Sequence, residues 1–116
     1  MSVSIIAKGE VVTAYLDGEI DHHTAKAARM EIDEQIYSHR AKNVIIDLEN
    51  VGFMDSSGLG LILGRYATVQ KVGGELVVLN PNEGVVKILK LAGAERILKI
   101  ESIDINAEKE KKKGRK

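Results

Sequence analysis

The chain has 116 residues, 44% of them hydrophobic and 29% charged, which is the size and make-up of one globular domain. Its charges cancel overall, but the last ten residues, AEKEKKKGRK, hold six of the 17 basic and two of the 17 acidic side chains; the rest, with eleven against fifteen, carries a net charge of −4 that disfavours direct nucleic-acid binding. With no cysteine, disulfides and thiolate chemistry are excluded, and no apolar window approaches the ~18 residues of a membrane span, so a soluble cytoplasmic protein is expected.

In chain order, Val3 to Ala7 and Val11 to Leu16 are β-rich runs separated by KGE, which predicts a hairpin. From Thr24 to His39, apolar residues at Ala25, Ala28, Ile32 and Ile36 keep helical spacing, with Asp21 or Thr24 placed to cap the start. NVIIDL, Asn43 to Leu48, reads as a strand covered on both faces. A second helix runs from about Ser57 to Gln70, with Leu59, Ile62, Leu63, Tyr66 and Val69 or Gln70 on its expected core face, and ends at Gly73-Gly74. The strand ELVVL follows, then a third helix with Val85, Ile88, Leu89 and Ala92 on one face, then a last strand at Ile97 to Ile100. Strands alternating with helices predict one α/β domain: a mixed β-sheet with an antiparallel N-terminal hairpin, β-α-β crossovers and helices packed on the sheet. Residues 1–105 form that domain, and 106–116 read as a charged, disordered tail.

The stretch FMDSSGLGLILGRY, Phe53 to Tyr66, carries the chemistry worth testing. A glycine-rich turn between strand and helix suggests a small nucleotide-binding protein using the Gly58–Gly64 loop. The spacing G-x-G-x-x-x-G misses the dinucleotide fingerprint by one residue, however, and no lysine follows as a phosphate loop requires. A serine hydrolase would need a base near its nucleophile, and none of His22, His23 and His39 is placed beside Ser56 by the sequence. The serines also lack the G-x-S-x-G turn, and no histidine or acidic cluster completes a metal site, so no cofactor or metal is expected.

If Asp55 is the N-cap, its carboxylate accepts from the N–H of Ser57 or Gly58, and the Ser56 hydroxyl is left outward and free. Four-residue spacing then aligns Ser56, Gly60, Gly64 and Thr68 on one stripe, with Leu61 and Arg65 beside it, away from the expected core face. Each glycine costs about 1 kcal/mol in a helix relative to alanine, so two on an exposed stripe imply that something approaches that backbone closely. A phosphate on a serine at the head of this track could switch a partner's binding without unfolding the domain. The residues alone leave Ser56 and Ser57 as alternatives.

GEIDHHTA at Gly18 to Ala25 and FMDSSGLGLILGRY, supported by GGELVV at Gly73 to Val78, resemble the STAS-domain anti-anti-sigma factors over about residues 3 to 101. DHHTA together with LGRY points to the sporulation branch rather than the general-stress one. The resemblance implies a switch without enzymatic activity, a monomer when free. Unphosphorylated, such a protein binds an anti-sigma factor that is also a serine kinase, with ATP or ADP held by that partner, and so releases a sporulation sigma factor. Phosphorylation on the first serine of the motif, here Ser56, turns binding off, and a PP2C-type phosphatase restores it. Asp21 and His22 should lie near Ser56 and join Asp55, Ser57, Gly58, Gly60, Leu61, Gly64 and Arg65 in the contact surface. The chain departs from the pattern at its end, where only Ile103 and Ile105 are left to build the amphipathic helix that usually closes the family's domain.

Overall fold

The computed structural model describes residues 1–103. The two β-rich runs pair antiparallel as β1 (Ser2–Lys8) and β2 (Val11–Asp17), from Ser2 opposite Asp17 to Lys8 opposite Val11. Gly9, at φ 61°, supplies the left-handed residue that the two-residue turn between them requires. There follow α1 (His22–His39), β3 (Asn43–Asn50), α2 (Ser56–Gln70), β4 (Glu75–Leu79), α3 (Glu83–Leu91), a 3₁₀ turn (Ala94–Arg96) and β5 (Lys99–Glu101). The strands lie in the order β1-β2-β3-β4-β5, with β2 to β5 parallel, which is the mixed α/β sheet expected from the alternation.

Because each parallel strand lies beside its predecessor, right-handed crossovers carry all three helices to the same face of the sheet. Burial follows from that. Val12, Ala14 and Leu16 of β2, Val44, Ile46 and Leu48 of β3, and Leu76 and Val78 of β4 are all buried, in register with Val12 opposite Val44 and Val44 opposite Leu76. Ala28 and Ile32 of α1, Ile62 and Val69 of α2 and Leu89 of α3 join them in one core, each large apolar side chain contributing roughly 1.5–3 kcal/mol. On the opposite face Ile6 and Tyr15 are exposed and Ile45 and Val77 only half-buried. The reading of NVIIDL as a strand covered on both faces is therefore corrected. Ile45 is apolar although it points to the open side, and this hides the alternation of a one-sided strand.

The C-terminal boundary also differs from the sequence reading. After α3, a bond from the Leu98 N–H to the Ala94 carbonyl (2.9 Å) continues a local turn, so Ile97 is left exposed and only Lys99–Glu101 pairs with β4. Ala92, expected on the buried face of the third helix, is its exposed C-cap instead. Ile103 is exposed, with its N–H bonded to Asn80 Oδ1 at 2.6 Å. Ile105 and the lysine-rich tail lie outside the described residues.

Candidate functional site

Two helix starts are built side by side at the C-terminal edge of β2 and β3. The Ile20 N–H donates to the Phe53 carbonyl (2.9 Å) and the Asp55 N–H to the Ile20 carbonyl (3.2 Å), forming a parallel bridge between Ile20 and Met54. Both apolar residues of that bridge are fully buried, which anchors the polar residues that follow each of them. Asp21 caps α1 in a reciprocal box: its Oδ1 accepts from the Thr24 N–H (3.0 Å), and Thr24 Oγ1 accepts from the Asp21 N–H (2.8 Å). The bond from Thr24 holds the Asp21 carboxyl below its ordinary value of 3.8. The helix consequently opens at His22, two residues before the periodicity placed it.

Asp55 caps α2 with a single bond and no reciprocal partner, its Oδ1 accepting from the Ser57 N–H at 2.8 Å. Ser56 is the first helical residue and is exposed, and its hydroxyl has no hydrogen-bond partner among the described residues. Ser57 is half-buried. Its side chain lines a groove of about 300 Å³ between the first turns of α1 and α2, together with His22, Ala25, Lys26, Arg29, Gly60 and Leu61. The DHHTA segment and the serines therefore share one surface, with His22 and Ser57 on the two sides of the groove.

The glycines of the motif are all inside α2 rather than in a loop before it, and they differ from one another. Gly58 is buried, and a Cβ there would overlap the Met54 side chain and come within 3.2 Å of Ile20 Cγ2, so this glycine serves the packing of the bridge. A Cβ at Gly60 or Gly64 would meet nothing within 4 Å. No other part of the described chain accounts for those two. Gly60 is exposed and Gly64 half-buried.

The expected faces of α2 need correction. Leu61 and Arg65, placed beside the glycine stripe and away from the core, are 3% and 6% exposed, whereas Leu59, Leu63 and Tyr66 are only half-buried. The helix is apolar around most of its circumference, so its periodicity could not select the face that α1 and the sheet would cover. Arg65 turns into the α1/α2 seam, where its Nε lies 2.8 Å from Asp33 Oδ1. The N–H is not aimed at that oxygen, so the two form a contact ion pair without a hydrogen bond, and Arg65 Nη1 has no partner among the described residues either. Burial pushes the Arg65 guanidinium down and the Asp33 carboxylate pushes it back up; the positive charge of Arg29 nearby lowers it further. Arg65 thus stands in the interior of the seam, not on the outer surface proposed for it.

Sequence reasoning passed over Lys26, Arg29 and Phe53. Lys26 and Arg29 follow His22 at helical spacing of four and three, a signal legible once the α1 start is known. Phe53, the one phenylalanine of the chain, is 53% exposed two residues before the Asp55 cap. Among the described residues no helix is long and apolar enough to cross a membrane, and no group of three or more metal-ligating side chains comes together.

Comparison with known proteins places this arrangement. The STAS domain family model matches residues 2–103. The anti-sigma F factor antagonist of Paenibacillus polymyxa is 41% identical over 97 residues, covering 84% of this chain and 83% of that protein. Among solved structures, the anti-sigma factor antagonist SpoIIAA in its unphosphorylated form superposes with a TM-score of 0.79 at 29% identity, covering 97% of each chain. SpoIIAA of Bacillus in the phosphorylated form superposes with a TM-score of 0.73 at 28% identity, covering 95% of this chain and 98% of that one. With the family model spanning nearly the whole described chain, this protein belongs to the STAS-domain family of anti-sigma-factor antagonists.

Proposed function

We propose that this chain is an anti-anti-sigma factor whose binding is switched by one phosphate on Ser56. Unphosphorylated, it binds an anti-sigma factor that is also a serine kinase and so frees a sporulation sigma factor. That kinase transfers the γ-phosphoryl group of its ATP to Ser56 Oγ, with ADP leaving, and a PP2C-type phosphatase hydrolyses the ester. The chain is a substrate in both reactions and catalyses neither.

The observation that carries this reading is the Ser56 hydroxyl, exposed and uncommitted at the first helical position while Asp55 does the capping. A serine serving as the cap would have its oxygen occupied by the helix. The relatives named anti-sigma F factor antagonist support the class of partner, and the relative known in phosphorylated and unphosphorylated forms supports the switch. A phosphoserine brings about −1.5 to −2 charges, which a helix N-terminus accommodates, so the domain stays folded. Acidic groups of a partner held against that charge are repelled by several kcal/mol, and each ~1.4 kcal/mol is tenfold in affinity.

Incubating the chain with its cognate anti-sigma kinase and ATP, then locating the phosphate by mass spectrometry, tests the assignment. Phosphate on Ser57, or on neither serine, refutes it. Ser56→Asp should lower affinity for the kinase with little change in melting temperature; a large fall in melting temperature would make Ser56 a structural residue.

A further inference from the structure

The groove between the first turns of α1 and α2 has a charge opposite to that of the chain that carries it. Outside the lysine-rich end the protein has a net charge of −4, yet Lys26 and Arg29 line the groove with no carboxylate among its lining residues. Both side chains are exposed, and neither makes an ion pair among the described residues. The Asp33 carboxylate does not relieve them, because it is already paired with Arg65, whose guanidinium feels the repulsion of the Arg29 charge. Between them, Gly60 presents bare backbone and Leu61 an apolar floor.

We infer that Lys26 and Arg29 receive an acidic side chain of the partner whose binding Ser56 switches, seated over Gly60. The inference rests on the reading of Ser56 as the switch and adds the chemistry of the surface that meets this chain. Charge complementarity identifies the occupant: a cationic groove in an otherwise acidic body steers an acidic patch to one place and repels it elsewhere. The groove is continuous with the switch, since Ser57, the next residue after Ser56, is part of its wall. A phosphate on Ser56 then acts on the same contact, drawing on Lys26 and Arg29 and repelling the carboxylate they would otherwise hold.

The test compares the wild-type chain with Lys26→Glu/Arg29→Glu, each titrated against the purified cognate anti-sigma kinase with ADP at several salt concentrations. Both positions are exposed, so melting temperature should be unchanged. The double variant is expected to bind roughly 10- to 100-fold more weakly, with an association rate that no longer falls as salt is raised. Exchanging exposed acidic residues of the kinase for lysine, one at a time, should yield one variant that restores binding to the double variant. Wild-type affinity and salt dependence in the double variant overturn the inference while leaving the switch intact, provided Ser56→Asp still weakens binding. If Ser56→Asp binds as well as wild type, the switch itself fails and the inference fails with it.

Discussion

Replacing Gly60 and Gly64 by alanine should make the protein more stable and a worse binder. Glycine in a helix interior is about 1 kcal/mol less favourable than alanine, and an added Cβ at either position meets nothing within 4 Å, so no packing penalty offsets the gain. The double variant should therefore gain about 2 kcal/mol. At about 4 °C per kcal/mol for a domain near 100 residues, that raises the melting temperature by about 8 °C. Gly58→Ala is the internal control: its Cβ would overlap Met54 in the fully buried bridge, and overpacking of ~1–3 kcal/mol exceeds the propensity gain, so this variant should lose stability. Thermal melts of the two variants and the wild type, followed by titration against the anti-sigma kinase, give both quantities. With two methyl groups standing on the docking track, affinity should fall about tenfold, the equivalent of ~1.4 kcal/mol. A double variant that melts at or below the wild-type temperature would show that the fold itself requires these glycines. Unchanged affinity would remove the track as a docking surface.

Asp33→Ala leaves Arg65 buried without a counter-charge and should cost about 1–3 kcal/mol in urea unfolding, less than for a fully buried pair because the Asp33 side chain is 27% exposed. Arg65→Met should cost less than Asp33→Ala, since Asp33 can turn toward water; the reverse order would refute this account of the pair. The Asp21 carboxyl is held below 3.8 by its bond from Thr24, so its contribution to stability is fully present above about pH 4 and is lost as pH falls through the lower folded value. Asp21→Asn should accordingly flatten the acid side of the stability curve, and an unchanged acid limb would rule Asp21 out as a source of it.

What the sequence determined by itself were the features closed within a few residues. Asp55, Ser56 and Ser57 fix the α2 start because a carboxylate two residues ahead of an N–H reaches it through local geometry alone, and the Asp21–Thr24 box does the same for α1. The alternation Val12, Ala14, Leu16 likewise set the buried side of β2. Tertiary structure decided what depended on the neighbour. Which side of α2 is covered could not be read from a helix apolar nearly all round, and packing against α1 and the sheet buried Leu61 and Arg65 in place of Leu63 and Tyr66. The glycines likewise look equivalent in sequence; only the position of Met54 makes Gly58 a packing residue and leaves Gly60 and Gly64 open. The cationic groove exists because Lys26 and Arg29 of α1 and Ser57 of α2, some thirty residues apart, are brought together by the Ile20–Met54 bridge and parallel strands. No local spacing encodes that juxtaposition.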